Sequence, residues 1–123
     1  MKKFVSMIAL MAAVLFVFAA CGESKNEPAA IKLNDMLDRE VQLGAYAKRI
    51  VALQPSDCEI LYSLGAGDTL VGRGEYCNYP EEILDVPAVH SGGETNIEQI
   101  IALNPDVVIM SKMSQTPEQV EAI

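Results

Sequence analysis

The apolar runs after Lys48 constrain the fold more than any other feature of this sequence. Residues 50–53 and 106–110 are short and almost uninterruptedly apolar, which is typical of strands covered on both faces of a sheet. Residues 70–72 and 88–89 predict two further strands between them. Helical patterns separate these strands, so the sequence predicts an α/β fold with a mainly parallel sheet.

Three helices are predicted, because an N-capping residue is followed three positions later by Glu or Gln at Ser56 with Glu59, Thr95 with Glu98, and Thr116 with Gln119. The first helix is expected to face the core with Ile60, Leu61 and Leu64, and the second with Ile97, Ile100 and Ile101. Before this unit, residues 31–33 and 40–43 alternate apolar and polar side chains, which predicts a β-hairpin.

The first 30 residues have the organisation of an export signal followed by a tether. Lys2 and Lys3 precede an apolar run over residues 4–20, and small residues stand directly before Cys21. This predicts a signal peptide over 1–20, removed so that Cys21 carries lipid, and a flexible tether over 21–30. A plain transmembrane anchor is the alternative, because the run approaches the length that spans a bilayer.

Cleavage before Cys21 would leave residues 31–123 as one small domain behind the tether. It would remove two lysines and no acidic residue, so the formal charge would fall from −8 to −10. Such a surface repels phosphate backbones, which argues against nucleic-acid binding. It also repels anionic lipid, so we expect the protein to attach to the membrane through the lipid on Cys21. Cys58 and Cys77 remain, and the sequence leaves open whether they form a disulfide.

From residue 48 to residue 110 the chain resembles the N-terminal lobe of substrate-binding proteins that serve ABC importers of cobalamin, iron-siderophores and haem. The resemblance rests on an ordered set of segments: residues 48–53, 59–67, 70–72, 76–80, 92–93 and 96–109. It implies a Rossmann-like lobe of a two-lobed periplasmic-binding-protein fold. The rigid helix between lobes and the second lobe are absent, so we expect a fragment of a longer product or a protein that has lost half of its clamp.

Ligands of open parallel sheets bind beyond the carboxyl ends of the strands. Together with the resemblance, this rule predicts a ligand-binding set of strand-end residues: Pro55, Ser56, Asp57, Tyr76, Tyr79, Gly92 and Gly93. The two tyrosines offer flat faces suited to a large macrocycle, and the glycines allow close approach of the backbone. The resemblance also implies that Glu98 contacts the permease, although Glu98 can instead complete the cap at Thr95.

The predicted function is capture of a corrinoid, ferric siderophore or haem outside the cell, and its delivery to an ABC permease whose ATPase partner hydrolyses ATP. No catalytic residues and no resident cofactor or metal are predicted. Residues 65–67 follow a helix rather than a strand and so do not form a dinucleotide loop. His90 is the single histidine, which argues against a metal site and a hydrolase triad. A structural or adhesive surface lipoprotein is the alternative function.

Overall fold

The computed structural model describes residues 31–123, and it begins with the predicted hairpin. Strand β1 (Ile31–Asn34) pairs antiparallel with β2 (Glu40–Leu43), and Ile31 lies opposite Leu43. The Asp35 carboxylate orders the turn, because it accepts hydrogen bonds from the backbone N–H of Leu37 at 2.8 Å and of Arg39 at 3.0 Å. The predicted signal, Cys21 and the tether lie outside the described residues.

A four-stranded parallel sheet forms the centre of the domain and confirms the predicted α/β class. Its strand order is β5-β4-β3-β6. The elements after the hairpin are β3 (Ile50–Ala52), α1 (Pro55–Ser63), β4 (Leu70–Gly74), β5 (Ala88–Val89), α2 (Ile97–Ala102), β6 (Val107–Ile109) and α3 (Pro117–Glu121). Short 3-10 turns cover Gly67–Thr69 and Glu81–Asp85.

The core has two halves, one on each face of the sheet, because successive residues of β3 point in opposite directions. Ile50 and Ala52 pack with a cluster completed by Cys58, Leu70, Cys77 and Ile83. Val51 and Leu53 pack on the other face with Val89 and Ile100. Helix α1 thus covers one face and α2 the other, which gives a three-layer arrangement.

Helix α1 differs from its prediction at its start and along its buried face. Gln54 is the N-cap residue, no side chain caps the helix, and Pro55 occupies the first turn, so the predicted cap at Ser56 is wrong. Proline favours this position because its fixed φ suits a first turn and its missing N–H costs no hydrogen bond there. The helix therefore begins before Ser56, which becomes an exposed residue within it.

The predicted inward face of α1 is also wrong for two of its three residues. Ile60 is 56 % exposed and Leu64 is 76 % exposed, whereas Leu61 packs against the core. Cys58 is fully buried in their place. Cys58 and Leu61 are three positions apart and so share a helix face, which sets the orientation of α1 on the sheet.

Helix α2 begins one residue later than the predicted capping box. The Asn96 side chain accepts a hydrogen bond from the backbone N–H of Gln99, so Asn96 rather than Thr95 is the N-cap residue. Ile100 is buried and Ile97 packs on the core as predicted, but Ile101 is 54 % exposed. The predicted capping box of α3, formed by Thr116 and Gln119, is confirmed.

Strand β6 was expected to be buried, but each of its residues is only half-buried, because it lies at the edge of the sheet within the described residues.

Cys58 and Cys77 are free thiols and both are fully buried. Their mutual hydrogen bond and burial raise the pKa of Cys58. No helix in residues 31–123 has the length and apolar character needed to cross a bilayer.

Candidate functional site

A pocket of about 320 Å³ lies beyond the carboxyl ends of the parallel strands. It is lined by residues that follow β3, β4, β5 and β6: Leu53, Gln54, Pro55, Tyr76, Ser91, Gly92, Gly93, Met113 and Ser114. All four strand ends therefore contribute to one concave surface, as the rule for open α/β sheets requires. None of the lining side chains carries a charge.

The loop after β4 holds Tyr76 at the pocket, and hydrogen bonds from the Arg73 side chain stabilise that loop. Arg73 Nη1 donates a hydrogen bond to the carbonyl oxygen of Cys77 at 3.0 Å, and Nε donates to that of Val86 at 3.0 Å. Buried Cys77 anchors the loop on the other side of Tyr76. The Tyr76 side chain is nevertheless 66 % exposed, so its aromatic face is available to a ligand.

The loop after β5 supplies the opposite wall of the pocket through Ser91, Gly92 and Gly93. A Cβ atom placed on either glycine would meet no atom within 4 Å, so the backbone here borders open space. A side-chain contact joins this loop to the loop after β4, since His90 Nδ1 lies 2.8 Å from Glu75 Oε1.

The ends of β3, β4 and β5 meet closely at Gly74. A Cβ atom there would overlap the Leu53 carbonyl oxygen and would lie 2.7 Å from Ser91 Oγ. Only glycine fits at this junction without displacing backbone. The floor of the pocket is therefore tightly packed although its mouth is open.

The structure brings four of the seven predicted ligand-binding residues together at the pocket: Pro55, Tyr76, Gly92 and Gly93. Ser56, Asp57 and Tyr79 do not line it. Tyr79 is 66 % exposed, and Asp57 lies in the first turn of α1, where burial raises the pKa of its carboxyl group.

Met113 and Ser114 line the pocket but were not predicted as site residues. They follow β6, so the strand-end rule that selected the other loops would have found them had it been applied to this strand. Glu98 is exposed in the first turn of α2 and does not line the pocket. Residues 31–123 contain no cluster of three or more His, Cys, Asp or Glu that could hold a metal ion.

A parallel sheet with helices on both faces and a pocket at its carboxyl edge is the architecture that one lobe of a two-lobed periplasmic binding protein has. The chain belongs to the periplasmic binding protein family, whose model matches residues 50–123. Its relatives include substrate-binding proteins of ABC transporters.

Among these relatives is the uncharacterized ABC transporter substrate-binding lipoprotein YvrC of Bacillus subtilis, which is 31 % identical over 94 % of this chain and 40 % of its own length. The crystal structure of the periplasmic vitamin B12 binding protein BtuF of Vibrio cholerae matches with a TM-score of 0.55 and 37 % identity, covering 61 % of this chain and 29 % of that chain.

The heme binding protein HmuT matches with a TM-score of 0.66 over 82 % of this chain and 33 % of its own, and at 24 % identity this likeness concerns the fold alone. The chain thus spans less than half the length of each of these relatives.

Proposed function

We propose that this chain is the ligand-binding first lobe of an extracytoplasmic substrate-binding protein that delivers a metal chelate to an ABC permease. The observation that carries the proposal is the pocket at the ends of the four parallel strands, where the Tyr76 ring and the backbone of Gly92 and Gly93 are exposed. The family to which the chain belongs consists of binding proteins. Its action is binding without bond-making. The ATPase partner of the permease supplies the energy for transport.

Among chelates, the pocket favours a corrinoid. Haem carries two carboxylates and many ferric siderophores are anionic, whereas the arms of the corrin ring of cyanocobalamin end in neutral amides and its one phosphate lies in the nucleotide loop. A buried carboxylate needs a cationic partner, and none of the lining side chains provides one. Gln54, Ser91 and Ser114 offer hydrogen-bonding groups that match amides. The similarity to the vitamin B12 binding protein of Vibrio cholerae supports the same ligand class.

Equilibrium dialysis of the full-length native protein against cyanocobalamin, haem and a ferric hydroxamate tests this proposal, with visible absorption spectra reporting each ligand. We expect saturable binding of cyanocobalamin. Binding of haem or the hydroxamate alone would overturn the corrinoid assignment while retaining capture of chelates. Binding of none of the three would overturn the function and favour a structural lipoprotein.

Lipid attachment at Cys21 would hold this lobe at the extracytoplasmic face of the membrane, and the small residues before Cys21 support it. YvrC, a relative of this chain, is named as a lipoprotein. Cys21→Ser is expected to abolish incorporation of labelled fatty acid and to leave an uncleaved precursor, as measured by gel autoradiography and mass spectrometry. Cys77→Ser is the control, because Cys77 is buried in the folded lobe. Fatty-acid labelling of the Cys21→Ser protein would contradict this assignment.

Glu98 is proposed to contact the permease. It is exposed, and Asn96 rather than Thr95 caps α2, so Glu98 is not required for the cap. Glu98→Lys in the complete protein is expected to reduce uptake of the chelate strongly while its affinity for the ligand stays unchanged. Glu121→Lys, an exposed change on α3, is the control. Unchanged uptake by Glu98→Lys would remove the docking role.

A further inference from the structure

Three polar residues are buried in the described part of the chain, and they meet in one hydrogen-bond network beside the pocket, in which Ser91 takes part through its backbone carbonyl. Gln115, Ser91 and Thr95 are 3 %, 4 % and 8 % exposed. Gln115 Nε2 donates hydrogen bonds to the Ser91 carbonyl oxygen at 2.9 Å and to Thr95 Oγ1 at 3.3 Å. Thr95 Oγ1 in turn donates to the carbonyl oxygen of Gly92 at 3.0 Å.

The other end of the Gln115 amide organises its own loop. Gln115 Oε1 accepts a hydrogen bond from the backbone N–H of Ser111 at 3.1 Å, and the N–H of Gln115 donates to the Ser111 carbonyl oxygen at 2.9 Å. This closes residues 111–115 into a compact turn that carries Met113 and Ser114 at the pocket. The single amide therefore connects two loops that are far apart in sequence.

These two loops come from opposite edges of the sheet. The strand order β5-β4-β3-β6 places β5 and β6 at its two edges, and the loops that follow them meet only above the ends of the central strands. Polar groups buried at this junction are costly unless each has its partner, so the junction tolerates one arrangement. Met113 itself is 92 % exposed and has little packing of its own to hold it.

We propose that Gln115 is a positioning residue for ligand binding: it fastens the turn 111–114 to the loop 91–95 and so places Met113 and Ser114 in the wall of the pocket. The inference rests on the proposed ligand-binding function, and it adds a determinant of affinity that lies outside the lining residues. Gln115 acts through the turn and does not touch the ligand.

The test compares Gln115→Ala and Gln115→Met with the wild type in the full-length protein, and Gln42→Ala on the hairpin serves as the matched control. Gln115→Met keeps most of the side-chain volume but loses every hydrogen bond of the amide. The first readout is hydrogen exchange of the Ser111 amide, which loses its acceptor in both variants. We expect its exchange to rise about tenfold while the β3 amides exchange at the wild-type rate.

The second readout is a double-mutant cycle with Met113→Ala, measured as affinity for cyanocobalamin. We expect Gln115→Met to weaken binding about tenfold in the wild-type background and much less in the Met113→Ala background, because the contact that it positions is already gone. A role in stability alone would weaken binding equally in both backgrounds.

The outcomes separate this proposal from the function on which it rests. Failure of the wild type to bind cyanocobalamin overturns the corrinoid assignment, and the exchange of Ser111 then decides whether Gln115 positions the turn. The positioning role is overturned if the Ser111 amide of Gln115→Met exchanges at the wild-type rate. It is also overturned if Gln115→Met loses the same affinity in the wild-type and Met113→Ala backgrounds.

Discussion

The two ends of the parallel sheet are built in opposite ways. At the amino end, the Asp106 carboxylate accepts hydrogen bonds from the backbone N–H of Lys48 at 2.8 Å and of Arg49 at 3.0 Å. The Arg49 guanidinium donates to the carbonyl oxygens of Leu103 and Asn104, which follow α2 directly. At the carboxyl end, the loops leave a pocket instead, and aromatic and thioether side chains remain exposed beside it.

This difference separates stability from binding within one small lobe. Charged side chains at the amino end satisfy backbone groups of the chain itself, as they do at many helix ends. The carboxyl end keeps its hydrogen-bonding network below the surface and leaves uncharged groups exposed for the proposed ligand. Substitutions at the two ends should therefore have effects that are distinguishable by denaturation and by binding.

The largest effect is expected where the pocket floor is most tightly packed. Gly74→Val would place side-chain atoms against the Leu53 carbonyl oxygen and Ser91 Oγ, and backbone cannot move aside cheaply. We expect the free energy of unfolding to fall by about 3 kcal/mol, at the upper end for overpacking, as measured by urea denaturation. Gly44→Val is the control, since a Cβ atom at Gly44 meets nothing within 4 Å. Equal urea midpoints for Gly74→Val and Gly44→Val would show that the pocket floor accommodates a side chain at residue 74.

A smaller effect, confined to binding, is expected at the mouth of the pocket. Tyr76→Ala removes an aromatic face that is largely exposed in this structure, so stability should change little. Affinity for cyanocobalamin is expected to fall about tenfold, the loss of one well-placed aromatic contact, as measured by calorimetry. Tyr46→Ala removes an exposed ring that does not line the pocket, and it should bind as the wild type does. Equal affinities of the two variants would exclude a ligand contact at Tyr76.

The smallest effect concerns the amino end and depends on pH. Hydrogen bonds from the backbone N–H groups of Lys48 and Arg49 lower the pKa of Asp106 below its ordinary value of 3.8. Because the folded-state pKa is lowered, the stabilisation is complete above the unfolded-state value and is lost as pH falls through the folded-state value. Asp106→Asn should therefore be less stable than the wild type at pH 7, and the gap should narrow below about pH 4.

Urea midpoints at pH 7 and pH 3 measure that gap. Asp85→Asn changes an exposed carboxylate in the turn Glu81–Asp85 and is the control for loss of charge alone. If the difference in urea midpoint between Asp106→Asn and the wild type were the same at pH 7 and pH 3, the lowered pKa of Asp106 would not contribute to stability.

The order of strands and helices was predictable from the sequence because apolar runs and turn residues are local signals. The hairpin, β3, β5 and the cap of α3 were all found in this way. The orientation of α1 was not, because Ile60 and Leu64 are as apolar as buried residues and only packing on the sheet shows that Cys58 faces inward. Propensity alone cannot decide between two apolar faces of one helix.

The candidate site was predictable where it follows from strand ends, which brought Pro55, Tyr76, Gly92 and Gly93 to one pocket. The role of Gln115 was not predictable, since it depends on two loops separated by 24 residues meeting across the sheet. Polar residues in loops have no pattern that distinguishes a buried amide from a solvated one. A three-dimensional contact is needed to reveal it.

The two buried cysteines have a practical consequence for production of this lobe. Cys58 and Cys77 fill core space as thiols, so the packing of the lobe does not depend on a disulfide between them. Material refolded under dithiothreitol should match material prepared in air.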